Sequence, residues 1–503
     1  MSKQLPERAN LEHLKSQAKD LLEALSRNEP EALETVARYF PSQHDVGLND
    51  AQLVIAREYG FASWAKLKDA VEKGSSSFVG QFLGAVDEGE VEQAQSLWKE
   101  HREELERDLV CCLRAGRADS IAAALASDPE LANRILPPHS QPPLHYVCFS
   151  QLVKLPEFEA GLMDTARLLL SKGANPSTIV QRDWGPESAL YGAAGVLNHP
   201  GLTKILLDAG VNTVDGESLY HSNDHPGHNE CTRLILEAGV EQSELDWSFK
   251  HKLDYNDPEG IKLYLDHGAN PNDPRARTGL SHAILRAQPL ETLRLLVDRG
   301  ADLERQDEDG TTPYAMARRL GNREVAEALV EWGAKAELPL RDEILAAAAD
   351  GDDERVRSLA AEHPEVVTEI TDYARQPNDG LTGGLSGQAL HNMARLGHVK
   401  GLRALLDLGV DVNLVSQWNE TPLHWASVAG RVEAVRLLLE RGARTDITES
   451  NFHSDAFGWL CWGSQNWNEP SGDYPGAARV YLEFGFKPGE NPWASKEVLE
   501  VLK

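Results

Sequence analysis

A glycine closes an apolar helical stretch nine times along this chain, at Gly173, Gly210, Gly239, Gly268, Gly300, Gly333, Gly409, Gly442 and Gly485. Most of these stretches read Leu-Leu-Leu-x-x-Gly-Ala or close to it, and Gly116 is a degenerate tenth. The steps from Gly173 onward are 37, 29, 29, 32, 33, 76, 33 and 43 residues, and the 76 is a step of 33 joined to one of 43, which conceals a degraded unit. A spacing near 33 that survives such drift belongs to stacked helix pairs and not to one closed core.

The clearest unit shows the physics. It runs Thr421-Pro422-Leu423-His424-Trp425-Ala426, then Ala429-Gly430, then Val435 to Leu439, and ends at Gly442-Ala443. Pro422 suits a first helical turn, where its missing N–H would have no partner anyway. Leu423, Ala426 and Ala429 share one face, and Val435, Leu438 and Leu439 form the stripe of a second helix. Gly442 takes the left-handed position that ends it. Two helices this short cannot bury those faces alone and need neighbours on both sides. The segment TPLHWASVAGRVEAVRLLLERGARTDI resembles a near-consensus ankyrin repeat.

Other copies follow in register. Thr312-Pro313-Tyr314-Ala315 to Ala334, and Gly279-Leu280-Ser281-His282 to Ala301, are close matches. Pro142-Pro143-Leu144-His145 opens a unit stretched by an insertion at 154–161, and Gln388-Ala389-Leu390-His391 opens one ending at Gly409. Weaker units start near Ser188, Glu217 and Trp247. The segments 77–105, 108–131 and 342–367 each read as two short helices without the signature, as degenerate repeats. About eleven or twelve units result, over roughly residues 80 to 490.

Residues 1–73 differ. Asn10 is expected to cap a helix with Leu11, Leu14, Ala18, Leu21, Leu22 and Leu25 on one face. Further helices are expected from Pro30 to Pro41, from 49 or 50 to Gly60, and from a Ser63 cap to Gly74. The phrases NLEHLKSQAKDLL and DAQLVIAREYGFASWAKLK resemble an amino-terminal helical module of bacterial proteins, which implies a bacterial origin. The expected organisation is a helical module or cap at 1–73, a linker at 74–78, a first part of the array at 79–338 and its continuation at 339–503. That continuation holds a degenerate repeat at 341–370 and an aromatic-rich terminal repeat.

Charge narrows the partner. The chain of 503 residues carries a net −29, and residues 1–74 hold only ten Lys/Arg against twelve Asp/Glu, so −27 falls on the array. Such a surface repels nucleic acid and anionic membranes and steers a basic partner. It also keeps a long array in solution. No apolar run approaches the length of a membrane span, which is about 18 residues or more, and the polar start lacks a secretory apolar core. Five cysteines, odd in number and scattered, fit a reduced cytoplasmic protein in which they are small buried side chains.

Candidate chemistry is sparse. His221, His225, His228 and Cys231 are the densest metal-type set, and four such ligands could close a tetrahedral zinc site. They straddle a turn containing Pro226-Gly227, and Cys231 occupies the core slot of Val435, so a polar turn with a buried cysteine is the favoured reading and no metal is assigned. His145, His282, His391 and His424 recur at one motif position, which implies hydrogen bonding within and between repeats, not acid–base chemistry. The Gly-rich stretch 380–387 lacks the Lys-Ser/Thr of a phosphate loop and reads as a long finger.

The carboxyl end is crowded with aromatics, among them Phe452, Phe457, Trp459, Trp462, Tyr481, Phe486 and Trp493, around an insertion at 464–476. They serve either to cover the open end of the array or to build a partner pocket. Trp418, Asn419, Trp425, Asp307, Asp309 and Trp184 are the expected partner contacts, on hairpin tips and inner helices. The expectation is therefore an all-α, elongated, right-handed ankyrin-type solenoid with short hairpin loops and a small amino-terminal helical domain. The resemblance implies non-catalytic binding of another protein by a monomer without cofactor. The alternative is a small-molecule-binding or enzymatic protein that uses the insertions at 154–161, 380–387 and 464–476.

Overall fold

Helices supply nearly all the secondary structure, and they come in stacked pairs. The computed structural model describes residues 11–502 apart from 28, 40–45, 60–62, 65, 69–76, 183–184, 274–278, 308–309, 374–384, 417, 451, 467–470 and 490–492. The expected Asn10 cap, the joint at Gly74 and most of the 380–387 finger lie outside the described residues. Two compact units divide the chain, Met1–His267 and Gly268–Lys503. In each, first helices pack on the first helices of the next repeat, and second helices on second helices. The strands among the described residues form one antiparallel hairpin, Ile179–Arg182 with Gly185–Ser188. This is an all-α solenoid of repeats, and among the described residues no sheet runs through its middle.

Repeat 421–442 shows how sequence becomes structure. Thr421 sits in extended backbone, and its hydroxyl caps the Pro422–Val428 helix by accepting the His424 N–H. His424 Nδ1 in turn accepts the Thr421 N–H at 3.1 Å, so two donors at the helix end are satisfied reciprocally. Leu423 and Ala426 are fully buried, as are Val435 and Leu438 of the Val432–Glu440 helix. A leucine buried this completely contributes about 2 kcal/mol. Most of that burial comes from adjoining repeats, because the core between Ile344 and Val498 is continuous.

The glycines behave as their spacing requires. All nine have positive φ, between 74° and 112°. At Gly442 an added Cβ would meet no atom within 4 Å, so the requirement there is purely conformational. Gly116 is different: a Cβ there would lie 2.3 Å from the Leu162 backbone nitrogen, and one on Gly161 would lie 2.5 Å from the Gly116 carbonyl. That pair lets consecutive repeats touch backbone to backbone.

Five of the nine helix-ending glycines also set a hydrogen-bonding register. The residue two places on turns its side chain onto the N–H two further along, as in Asn175, Asn212, Asn270, Asp302 and Asp411. The residue four places on reaches the next repeat. Ser177, Asn272, Glu304 and Asn413 accept the N–H of Asn212, Asp302, Lys335 and Arg444, at 2.7–2.8 Å. Asn272 and Asn413 donate as well, to the carbonyls of Gly300 and Gly442.

Motif histidines add a second tie. The Nε2–H of His145, His391 and His424 donates to the carbonyls of Glu187, Glu420 and Ser454, each on the following repeat. Burial lowers His145 and His424 from the ordinary histidine value to about 4, so both rings are neutral donors at physiological pH.

Several details depart from the sequence reading. The 154–161 insertion is not a loop: Gln151–Lys154 is a short helical turn, and Pro156 begins a 16-residue helix to Ser171. The degenerate units add a third short helix where two were expected, at Arg102–Leu105, Pro129–Asn133 and Pro364–Tyr373. Of the 464–476 insertion, residues 464–466 end the helix Ala456–Asn466 and residues 474–476 begin the helix Tyr474–Glu483. The second amino-terminal helix ends at Ala37, short of Pro41, and the third spans Leu48–Glu58. Together with Leu67, these helices share a core of their own, centred on Leu14, Ala18, Val36, Val54 and Ile55.

Two outcomes follow for stability. Gly442→Ala should cost about 1 kcal/mol, the left-handed penalty alone, whereas Gly116→Ala should cost about 3 kcal/mol because the repeats must separate; urea unfolding of both variants compares them. His145 and His424 bind fewer protons folded than unfolded between pH 6.5 and about 4. Their contribution is present above 6.5 and lost as pH falls, by at most about 3 kcal/mol per ring. Calorimetry stepped downward from neutral pH should show falling melting temperatures, with a shallower fall in His424→Asn.

Candidate functional site

The inner helices of the last two repeats carry indole rings where a solenoid needs no core residue. Leu423 and Ala426 point inward from the Pro422–Val428 helix, which leaves Trp425 on the opposite side, half-buried. One repeat later Phe457 and Leu460 take the core positions, and Trp459 and Trp462 are left outward. Trp425 and Trp459 meet edge to face at 5.4 Å, and Trp459 also meets the His424 ring at 5.4 Å. Trp462 follows Trp459 by three residues, hence on the same helical face, and is 46 % exposed.

Hairpin tips border this face. Trp418 is 46 % exposed, and its carbonyl accepts the Ser450 N–H at 2.8 Å, which joins its tip to the next one. That next tip presents Phe452, 82 % exposed. Asn419 holds the turn with φ 62°, and its side chain donates to the Thr448 carbonyl at 2.7 Å, so it shapes the tip by bridging the two fingers. Between rings and tip sits Glu420. Burial raises its carboxyl above the ordinary range, opposed by hydrogen bonds from Ser416 and the Trp425 indole. Rings, a carboxylate and projecting tips thus lie side by side on two consecutive repeats.

The aromatic cluster divides between two tasks. Phe457, Tyr481 and Phe486 pack mutually at 4.8–5.4 Å and close the last repeat's interior. Lys496–Val501 then packs on Tyr474–Glu483, with Val498 fully buried. Trp459, Trp462, Phe452 and Trp493 remain at least partly open to solvent. Sequence reasoning named Trp418 and Trp425 as contacts but left Trp459 and Trp462 undivided from the cap. The available signal was spacing: Trp459 lies 34 residues beyond Trp425, one repeat on.

The remaining expected contacts separate. Asp307 is buried at 9 % exposure, and its N–H donates to the Thr311 carbonyl. Its side chain therefore is not offered to a partner, because it lies inside the hairpin and not on its tip. Asp309 and Trp184 lie outside the described residues. The four metal-type residues do not converge either. His221 faces Glu217 and Asp224, His225 Nε2 donates to the Gly195 carbonyl at 2.8 Å, and His228 is exposed. Cys231 is fully buried beside Thr203, and burial pushes its thiol up to about 11. Among the described residues no group of three or more His, Cys, Asp or Glu is placed to hold a metal ion. All five cysteines are buried. Among those residues, too, no helix is long and apolar enough to cross a membrane.

Comparison with known proteins agrees with the architecture. Residues 251–339 and 344–449 match the family model described as ankyrin repeats. The E3 ubiquitin-protein ligase KEG of Arabidopsis thaliana is 31 % identical over 149 residues, 30 % of this chain and 9 % of that protein. Human SH3 and multiple ankyrin repeat domains protein 2 is 28 % identical over 200 residues, 38 % of this chain and 10 % of that protein. Ankyrin repeat protein nuc-2 of Neurospora crassa is 25 % identical over 250 residues, 47 % of this chain and 22 % of its own. The chain thus spans about a tenth of the first two relatives' length. With glycine register, helix pairing and family match in agreement, this chain carries ankyrin repeats in an all-α solenoid.

Proposed function

We propose that the protein is a non-catalytic interaction scaffold whose partner, another protein, docks on the Trp425–Trp459–Trp462 face and its two hairpin tips. One observation carries the reading: consecutive repeats place large aromatic side chains at positions that the core does not use, Trp425 and Trp459 half-buried in mutual contact and Trp462 exposed beside them. Tryptophan dominates binding hot spots because it brings large apolar area at small entropic cost and still offers one N–H. Ankyrin repeats generally serve protein–protein recognition, which supports the class of partner. Fold alone does not dictate a ligand.

The net charge of −29 favours a partner with a basic surface, and it acts through encounter rate more than through final affinity. Residues 1–73 act, on this reading, as a helical module that shields the first repeat, in a monomeric protein of bacterial type working in the cytoplasm. Their separate core supports an independent fold for that module.

The test uses the full chain as bait in lysate of its source cells. A partner retained by the unaltered protein should be lost by the triple variant Trp425→Ala, Trp459→Ala, Trp462→Ala, with affinity down at least about tenfold. Trp247→Ala, which removes an exposed indole elsewhere, should retain it, and added salt should slow capture. Undiminished capture by the triple variant, with its helical content intact, would place the docking face elsewhere.

A further inference from the structure

Five titratable side chains on two consecutive repeats of the first unit form an unbroken hydrogen-bonded chain. His221 has Nε2 3.0 Å from Glu217 Oε2 and Nδ1 2.8 Å from Asp224 Oδ2. Asp224 Oδ1 lies 2.8 Å from Nε2 of His251, whose Nδ1 is 3.1 Å from Asp254 Oδ2. The Tyr255 hydroxyl donates to Asp224 Oδ1 at 2.7 Å. His221 ends the short Ser218–His221 helix, Asp224 ends the Ser222–Asp224 turn, and His251 sits in the last turn of Gln242–Lys252. The Tyr220 ring lies flat on His251, with centroids 3.9 Å and planes 4° apart.

A neutral imidazole has one N–H and an ionised carboxylate only accepts. Each of these rings meets a carboxylate at both nitrogens. Every contact in the chain is satisfied only when both rings carry two protons, and the flat Tyr220 stack then gains a cation–π component.

We propose that Glu217, His221, Asp224, His251 and Asp254 form a proton-operated latch between these two repeats, closed while both imidazoles are doubly protonated and open once either gives its proton to solvent. Loss of a proton turns one N–H donor into a lone pair facing a carboxylate oxygen, so a bond becomes a repulsion. Asp224 joins both rings, and losing either half leaves it with a surplus charge. The turn itself stays anchored, because Asn223 Nδ2 donates to the Ser248 carbonyl at 2.9 Å and the Ser222 and Thr232 hydroxyls lie 2.8 Å apart. Opening is therefore a loosening of the outer edge at Tyr220, His221 and Asp224 while Ser222 and Asn223 hold, and not an unfolding of the repeat.

The surroundings favour the doubly protonated rings. Other groups facing the latch are Asp215 beside Glu217, Glu187 and Tyr191 from the preceding repeat, and Glu244, Lys252 and Tyr255 from the following one. Most are acidic, and the Lys252 amine is held 2.6 Å from Asp257. The hydrogen bond to Asp224 raises His221 above its ordinary value, against its burial. Burial lowers His251, but the bonds to Asp224 and Asp254 outweigh it and the net direction is again upward. Asp224, despite burial, is held well below the usual carboxylate range by His221, His251 and Tyr255. The sign follows: the latch contributes fully below about pH 6.5, the unfolded histidine value, and is lost as pH rises through the folded midpoints. This is opposite to His145 and His424, which weaken the fold as pH falls.

Histidine-labelled full-length protein, titrated by two-dimensional NMR from about pH 5 to about pH 9, tests the latch. His221 and His251 should both titrate above about 6.5. Asp224→Asn should lower both midpoints together, and Asp254→Asn should lower His251 more than His221. Amide exchange across 218–224, corrected for its intrinsic pH dependence, should accelerate about tenfold or more as pH crosses the midpoint. In Asp224→Asn it should be fast throughout. A midpoint at or below about 6.5 for either ring overturns the proposal, as does exchange that stays flat in the unaltered protein. Should Asp224→Asn not fold, Asp254→Asn decides: unmoved His251 also overturns it.

Discussion

Two helices of seven to eleven residues cannot hold themselves together, and every other property of this molecule follows from that shortage. Leu423, Ala426, Val435 and Leu438 are fully buried only because repeats on both sides cover them. Burial alone is non-directional and would tolerate sliding of one pair along the next. The register comes from polar groups placed relative to the helix-ending glycine. Asn413, four residues past Gly409, takes the N–H of Arg444, two residues past Gly442, and donates to Gly442 itself. Asn272 does the same one repeat after Gly268. A left-handed glycine thus ends a helix and also starts a count that fixes where the neighbouring repeat sits.

That division of labour frees the inner-helix surface. Once the core takes positions 423, 426 and 429, and the ties take Thr421 and His424, position 425 is under no structural demand. It is filled by tryptophan, as is its equivalent at 459, and the two rings meet. The first unit spends the same freedom on charge. Its inner face carries Tyr220, His221 and His251 in contact, with carboxylates on either side. One scaffold thereby presents an aromatic surface in one unit and a protonatable one in the other. The two sets of histidines also differ in kind. Those of the repeat motif are buried neutral donors, whereas each of the two in the latch meets a carboxylate at both ring nitrogens, which favours the protonated form.

Much of this was legible in the chain. Glycine spacing gave the repeat type, proline after threonine gave the helix starts, and the motif histidines read correctly as ties between repeats. The metal-type cluster was read as a turn with a buried cysteine, and Cys231 is fully buried. Other features escaped because no periodicity encodes them. The segment 342–367 reads as two short helices, yet Pro364–Tyr373 forms a third. The 154–161 insertion extends a helix instead of making a loop, since Pro156 at its first turn starts the helix as readily as Pro422 starts a regular one. Asp307 sits where a hairpin tip was expected but is folded into the hairpin.

Capping and the left-handed stop depend on residues within one turn of each other, so the sequence by itself determined them. The all-α class came with them. Contacts between residues about thirty apart were decided only by tertiary structure. Asp224 reaches His251 across 27 positions, and Trp425 reaches Trp459 across 34. Whether such side chains touch depends on the offset and tilt between neighbouring helix pairs, which many hydrogen bonds and the shared core set jointly. No local pattern carries that geometry, and it is what joins scattered histidines through shared carboxylates and brings scattered tryptophans onto one face.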